Sequence, residues 1–107
     1  MSFDFVRFTK EFTEKFAQLT AADTVNAAKR FVRVDTGNLR NSITLDEPGA
    51  GRYEVYTNEV YAAAQEYGRP DLPNYGFTPY MRPGLAEAIG NARANARQAS
   101  KIAARKA

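Results

Sequence analysis

The chain contains no cysteine and no histidine among its 107 residues. Without cysteine, disulfide bridges and thiolate sites are excluded. Without histidine, the sequence lacks the commonest metal ligand and the usual general base at neutral pH, so nucleophile–histidine triads are excluded too. No run of about 18 apolar residues is present, and the N-terminus carries acids where a signal peptide would be apolar. We therefore expect no cofactor, no metal and no membrane span, and a product without an export signal.

The length predicts a single domain spanning residues 1–107. Hydrophobic residues make up 44% of the chain and charged residues 25%, which is ordinary for a globular protein. The net charge of +3 is unevenly distributed. Residues 34–81 hold three basic and seven acidic groups, whereas residues 82–107 hold six basic groups and one acidic group. An acidic middle and a basic tail suit packing between copies, or a basic face turned to an acidic partner.

A row of large apolar side chains near the N-terminus recurs every three or four residues, which is the spacing of one helix face. The row consists of Phe5, Phe8, Phe12, Phe16 and Leu19. We expect a helix from Asp4 to Arg33, about 45 Å long at 1.5 Å per residue. Such a row is usually core, and the alternative is a face that docks a partner.

The next stretch predicts a turn followed by a β-hairpin. Asp35, Thr36 and Gly37 favour an elbow that ends the helix, because Asp and Thr bond nearby amides and Gly tolerates positive φ. Alternating residues predict strands over 39–46 and 52–58, joined by the turn-forming segment 47–51. A lone hairpin is marginal in water, so we expect the long helix to pack across its apolar face.

The remainder predicts two more helices separated by a loop. Residues 60–67 suit a short helix closed by Gly68, and residues 69–83 hold four of the five prolines and read as a long ordered loop. Pro83 would open a last helix over about 84–105, whose apolar side is thin and which we expect to fray beyond about residue 98. The predicted fold class is α+β: a long N-terminal helix on a small antiparallel hairpin, a short middle helix, a Pro-rich loop and a C-terminal helix.

The triplet Asp35-Thr36-Gly37 raises one enzymatic alternative, since Asp-Thr-Gly carries the catalytic carboxylate of dimeric aspartic proteases. Two such carboxylates sharing a proton supply both acid and base. The context differs from that family, however: Asn38 follows the triplet in place of a small Ala or Ser, and the preceding sequence is helical in character. We therefore favour a structural elbow and expect no catalytic residues.

The last predicted helix carries a ridge of basic residues spaced by four: Arg93, Arg97, Lys101 and Arg105. This ridge could contact nucleic acid phosphates in a salt-dependent manner, which makes a small nucleic-acid-binding module the main alternative function. No aromatic residues interleave it, and no known docking motif accompanies it. A solvated helix face and contact with an acidic protein surface are the other interpretations.

Three stretches, in this order and spacing, resemble the motifs of one family: VDTGNLRNSI at 34–43, YAAAQEYGRP at 61–70 and PYMRPGL at 79–85. The chain resembles the gene-product-ten-like neck proteins of long-tailed bacteriophages, also called head-tail connector or tail-completion proteins. The resemblance covers most of residues 1–90. Gly84 stands where the family usually has alanine, and residues 71–78 fall in the family's variable loop.

The resemblance implies a non-enzymatic structural protein of the virion, made in the host cytoplasm. Copies would assemble as a ring, by analogy a hexamer, at the neck between head and tail. The partners would be other copies and the neighbouring head-closure and tail-terminator or tail-tube proteins. DNA would pass nearby in the channel, and neither a membrane nor a small-molecule substrate would be involved.

The resemblance and the charge pattern assign roles to two sets of residues. The motif positions expected to define the fold are Asp35, Thr36, Gly37, Leu39, Ser42, Gly68, Pro79, Tyr80 and Pro83. The side chains expected at an interface between copies or with a partner are Arg40, Glu66, Tyr67, Arg69, Arg82, Arg93, Arg97 and Lys101. In this hypothesis the acidic middle of one copy meets the basic C-terminal helix of the next.

Overall fold

The computed structural model describes residues 2–32, 38–59, 62–69, 71 and 79–107. Its first helix, α1, spans Phe5–Phe31, as the apolar spacing predicts. Asp4 caps this helix, because its Oδ1 accepts a hydrogen bond from the Arg7 amide at 3.0 Å and satisfies a free N–H group of the first turn. With 27 residues, α1 is about 40 Å long and forms the axis on which the other elements pack.

A short helix, α2, occupies Asn38–Ser42, where the sequence predicted a strand beginning at residue 39. The Ser42 hydroxyl donates to the Leu39 carbonyl at 2.7 Å within this turn. The prediction was wrong because Leu39 and Ile43 are four residues apart, a spacing that suits the period of a strand and that of a helix. Both are 3% exposed, whereas Asn41, which the strand would have placed on the same side, is exposed.

The predicted antiparallel hairpin is confirmed, with strand β1 at Thr44–Gly49 and strand β2 at Arg52–Tyr56. The register is regular over the first three pairs and shifts between Asp46 and Gly49. Pro48 lies in this irregular part, where its missing N–H removes nothing from the ladder. Alternate residues of β2 are half-buried, so one face of the hairpin turns toward α1, as expected.

The short middle helix, α3, spans Ala62–Tyr67, close to the predicted range. It ends at Gly68, whose φ of +80° is a conformation that a side chain disfavours. The helical stop predicted from this glycine is therefore confirmed.

The predicted C-terminal helix is divided into two: α4 spans Met81–Gly90 and α5 spans Ala92–Lys106. A single helix over 84–105 was therefore wrong. The break falls at Gly90 and Asn91, both poor helix formers, and the Asn91 amide bonds the Ala88 carbonyl at 3.1 Å to tighten the last turn of α4. Pro83 lies in the first turn of α4, as predicted.

Helix α5 continues to Lys106, whereas the sequence suggested fraying from about residue 98. The reason is its small-residue face: Ala99 and Ala103 are fully buried, and α5 packs along α1. Small side chains bury little area each, but they allow two helices to approach closely. The thin apolar side of this helix is thus its packing surface.

Helices α4 and α5 run back along α1 in the opposite direction. Near the C-terminal end of α1, a Cβ added at Gly84 would lie 2.8 Å from the Ala28 amide nitrogen, so the backbones are in close approach. Polar contacts also join α1 to α4 and α5 along their length. They join Arg30 to Glu87 at 2.7 Å, Asn95 to Asp23 at 2.9 Å and Lys106 to Glu11 at 3.3 Å.

The core lies at one end of the molecule rather than along the phenylalanine row. Its main cluster consists of Ala28, Val32, Leu39, Ile43, Ala62 and Tyr80. The row itself is only partly covered: Phe8, Phe12 and Phe16 are half-buried and stack ring on ring, with centroids 6.1 and 5.9 Å apart. The prediction that this row forms the core was wrong, since Phe5 is exposed, Phe8, Phe12 and Phe16 are only half-buried, and the buried cluster contains none of them.

The molecule is elongated, with principal extents of 65 × 25 × 23 Å. Its radius of gyration of 17.3 Å exceeds the value of about 13 Å that is typical of a compact domain of this length. Helix α1, about 40 Å long, contributes to this extension, and the end of the molecule remote from the core carries large exposed apolar side chains.

Candidate functional site

The most elaborate polar arrangement is a carboxylate clamp centred on Glu66 of α3. Its Oε1 accepts hydrogen bonds from the backbone amides of Tyr80 at 2.9 Å and Met81 at 2.6 Å. Its Oε2 accepts from Arg82 Nε at 2.8 Å, and Arg82 also donates to the Glu66 carbonyl at 2.8 Å. These contacts, hereafter the Glu66 clamp, hold the first turn of α4 against the last turn of α3.

Glu66 is 3% exposed, and its carboxylate remains charged because hydrogen-bond donors surround it. Burial raises the pKa of this carboxyl, but hydrogen bonds from the Arg82 side chain and from three backbone amides outweigh burial, so the pKa is lowered below its usual value. The amides belong to the N-terminus of α4, where the helix dipole also favours negative charge. The clamp therefore works as a side-chain cap supplied from another helix.

Tyr80 adds a further contact between α3 and the start of α4. It is 2% exposed, and its hydroxyl donates to the Ala62 carbonyl at the start of α3, at 3.3 Å. The second and third sequence motifs are thus joined in space by a buried ring and a buried carboxylate. Sequence reasoning placed Glu66 and Arg82 at an interface between copies, whereas the structure pairs them with each other within one chain.

The outer side of the clamp remains accessible. The Arg82 side chain is 58% exposed, and its guanidinium lies 4.9 Å from the ring centroid of Tyr67, itself 67% exposed. Such a cation–π pair stabilises an exposed site by about 0.5–1 kcal/mol. The clamp therefore presents an aromatic side chain and a cation on the surface.

The other predicted interface residues are dispersed. Arg40 is exposed on α2, and Arg69 forms an ion pair with Asp71 at 2.6 Å that lowers the pKa of that carboxyl. Arg93, Arg97 and Lys101 are exposed on α5, along its outer face. The structure thus brings together Glu66, Tyr67 and Arg82, and separates them from the basic residues of α5.

Several of the predicted fold-defining residues lie among the described residues. Leu39 is in the core, and the Ser42 hydroxyl bonds that of Thr57 across to the end of the hairpin. Pro79 is half-buried next to Tyr80. The elbow triplet Asp35, Thr36 and Gly37 lies outside the described residues, and so does the carboxylate of the aspartic protease alternative.

The outer face of α5 is a continuous basic surface. Arg93, Arg97, Lys101 and Arg105, hereafter the basic ridge, are all exposed, and none of them forms an ion pair with another described residue. The helix contains no acidic residue. Its opposite face is fixed on α1 by buried alanines, so the ridge is presented on a rigid support.

The hairpin presents the opposite charge. Asp46 and Glu47 on β1 and Glu54 on β2 are exposed, and within the described part of the chain Glu54 forms an ion pair only with Arg52, at 3.1 Å. Exposed pairs of this kind contribute little, so the carboxylates remain available to a partner. The acidic middle and basic tail read from the sequence are therefore two separate surfaces of the folded chain.

Two apolar features were missed by sequence reasoning. The first, hereafter the apolar tip, is the exposed cluster Phe3, Phe5 and Val6 at the start of α1, which are 44%, 73% and 82% exposed. The second, hereafter the central groove, has a volume of about 580 Å³ between α1, β2 and α4. The sequence did contain one sign that apolar surface would remain exposed: large phenylalanines follow one face of α1, whereas the C-terminal helix that could cover them is rich in small alanines.

The described residues offer little for metal or membrane binding. Among the residues that the structure describes, no group of carboxylates is placed so that it could hold a metal ion. No helix among them combines the length and the apolar character needed to cross a bilayer.

Comparison with known families decides the relationship. Residues 5–68 match the family model described as "HK97-gp10_like: Bacteriophage HK97-gp10, putative tail-component". The chain belongs to this HK97-gp10-like family. No curated protein and no solved structure gives a match. The matched segment includes α1, α2, the hairpin and α3 with Glu66, whereas α4 and the basic ridge lie beyond it. The resemblance to gene-product-ten-like phage proteins is thereby confirmed.

Proposed function

We propose that this structural protein of a tailed phage is a subunit of a ring that joins head and tail at the neck. Membership of the HK97-gp10-like family supports the coarser role of a phage tail component. The neck position and the ring rest on the surfaces described above. The role requires no catalysis by the chain itself.

The observation that carries this proposal is the separation of two unlike charged surfaces on one elongated subunit. The basic ridge lies on the exposed face of α5, and the exposed carboxylates lie on the hairpin, a different element packed on α1. A contact between the ridge of one copy and the hairpin of the next uses different patches on the two copies. Head-to-tail contacts of this kind close into rings when the rotation between subunits permits.

Charge reversal on the ridge tests the proposal. Arg93→Glu with Arg97→Glu replaces two cations by anions on an exposed face, so the fold should persist while contact with an acidic surface is lost. We expect phage carrying this gene to accumulate unjoined heads and tails by electron microscopy, with a corresponding loss of infectious particles. The matched control is Lys10→Glu with Lys15→Glu, which makes the same change of net charge on α1.

The outcome is decided by comparing the two double variants. Loss of joined particles only with the ridge variant supports the proposal. Normal joining with the ridge variant, given a circular dichroism spectrum that shows a folded chain, contradicts it.

The basic ridge also favours a second function, nucleic-acid binding. Four exposed cations at one-turn intervals could contact successive phosphates, and such affinity falls steeply with salt. A fluorescence anisotropy titration with duplex DNA at physiological salt separates the two functions. A nucleic-acid-binding module is expected to bind appreciably and to lose affinity in the ridge variant, whereas the ring subunit alone is expected to bind only at low salt.

A further inference from the structure

The central groove is an apolar concavity without an occupant among the described residues. Its volume of about 580 Å³ falls in the range of small-ligand sites, about 300–1,000 Å³. Large apolar side chains line it, notably Phe16, Val55 and Leu85. Leu85 is 47% exposed at its rim, which is unfavourable for a side chain of this type in an isolated monomer.

The apolar tip is of matching chemistry but cannot reach the groove of its own chain. Phe5 and Val6 belong to the first turn of α1, and Phe16 at the near side of the groove lies 11 residues further along the same rigid helix, about 16 Å away. The far side is more distant, since Leu85 follows Gly84, which touches Ala28. A tip can therefore enter only the groove of another copy.

The surface area of the chain fits such a contact. A monomer of 11.9 kDa typically exposes about 6,000 Å², whereas this chain exposes 7179 Å². The excess of about 1,200 Å² exceeds the roughly 800 Å² that one partner buries in a standard interface. A subunit that gives its tip to one neighbour and its groove to another would cover part of this excess, including the tip side chains, which are 44–82% exposed.

Charge complementarity supports the same pairing. Asp4 lies within the apolar tip, between Phe3 and Phe5, and is exposed. Arg82 lines the groove, and its side chain is 58% exposed although it contacts Glu66. A tip that enters the groove would bring this carboxylate toward the guanidinium, which fixes orientation more than it adds affinity.

We propose that the apolar tip of one copy, residues Phe3, Phe5 and Val6, inserts into the central groove of the next copy. The contact is head-to-tail, so each subunit is both donor and acceptor of a tip. The inference deepens the proposed function and rests on it for the closure of this contact into a ring. The ionic contact between ridge and hairpin then accompanies an apolar contact that supplies most of the affinity.

Because the chain has no cysteine, engineered disulfides test the contact directly. One chain carries Val6→Cys and another, of different mass, carries Leu85→Cys. Within one chain the two positions are separated by about 33 Å, estimated from the rise between Val6 and Ala28 on α1, whereas a disulfide requires Cα atoms within about 7 Å. In the matched control, the Val6→Cys chain is mixed with a chain that carries Ile89→Cys. Ile89 lies on α4, as Leu85 does, and is 59% exposed, but it does not line the groove.

On mild oxidation, we expect a mixed disulfide between the Val6→Cys and Leu85→Cys chains. A chain that carries both substitutions should give a series of linked dimers, trimers and larger species. Val6→Ser is expected to weaken self-association by roughly tenfold, since burying a valine side chain is worth about that factor. Native mass spectrometry measures this change.

Two results would overturn the inference. One is an oligomer in native mass spectrometry that gives no more mixed disulfide than the Ile89 control, which would leave the proposed ring standing with a different contact. The other is a chain that stays monomeric at its highest soluble concentration and forms no mixed disulfide. The proposed function is judged separately, by head-tail joining in phage.

Discussion

Replacing Glu66 by glutamine should destabilise the protein far more than its conservative shape suggests. Both carboxylate oxygens of Glu66 accept hydrogen bonds, from the amides of Tyr80 and Met81 on one side and from Arg82 on the other. A glutamine amide has one accepting oxygen and one donating nitrogen. In either orientation the nitrogen therefore faces donors, and the negative charge at the N-terminus of α4 is lost.

The size of the effect follows from these contacts. A hydrogen bond to a charged group contributes about 1.5–3 kcal/mol, and leaving a buried polar group unsatisfied is costly in addition. The Arg82 side chain is 58% exposed, so water compensates part of its loss. We expect Glu66→Gln to lower the free energy of unfolding by about 2–4 kcal/mol, measured by urea denaturation at neutral pH.

The dependence on pH gives an independent check. The ordinary pKa of this carboxyl is 4.5, and in the folded chain it is lower. A group whose pKa is lowered on folding stabilises the protein above its unfolded pKa, and this contribution is lost as the pH falls through the folded pKa. The difference in stability between the wild type and Glu66→Gln should therefore be constant at neutral pH and narrow below about pH 4.5.

Glu54→Gln is the matched control, because Glu54 forms an ion pair with Arg52 on the exposed face of the hairpin, with side-chain exposures of 47% and 74%. Such a pair contributes about 0–1 kcal/mol. If Glu66→Gln unfolds within about 0.5 kcal/mol of the wild type, or no more easily than Glu54→Gln, the reasoning about the clamp is refuted.

Two glycines and one tyrosine supply further predictions. Gly84→Ala should lower the thermal midpoint, because the added Cβ would lie 2.8 Å from the Ala28 nitrogen, and overpacking costs about 1–3 kcal/mol. A Cβ added at Gly90 meets nothing within 4 Å, so Gly90→Ala should raise the thermal midpoint, with a gain in stability of about 0.5–1 kcal/mol. Equal shifts of the midpoint for Gly84→Ala and Gly90→Ala would contradict the close contact between α4 and α1. Tyr80→Phe removes the hydroxyl bond to Ala62 and should cost about 0.5–1.5 kcal/mol in urea denaturation; an unchanged midpoint would argue against that bond.

Local periodicity allowed α1, α3 and the hairpin to be predicted, but it missed α2 and the break between α4 and α5, and it did not identify what covers these elements. The spacing of Phe5, Phe8, Phe12 and Phe16 predicted α1 correctly and its burial incorrectly. Burial depends on the size of the facing side chains, and these come from residues such as Ala99 and Ala103 far along the chain. The mismatch between the two faces was visible in the sequence, whereas their juxtaposition was not.

The Glu66 clamp shows a second limit of sequence reasoning. Glu66 and Arg82 were both singled out, but as partners of other copies, because 16 residues separate them and no local pattern pairs them. They become neighbours because the chain folds back after α3, so that the first turn of α4 lies against α3. In contrast, the stop at Gly68 was predictable, since it depends on the conformational freedom of a single residue.

The most direct test of the central claim is single-particle electron microscopy of virions that contain this chain, focused on the junction between head and tail. We expect a closed ring of identical subunits at the neck, into which the 65 Å long fold can be placed with α5 against an acidic surface of its neighbour. Finding the chain distributed along the tail, or as isolated copies without contact to one another, would contradict it.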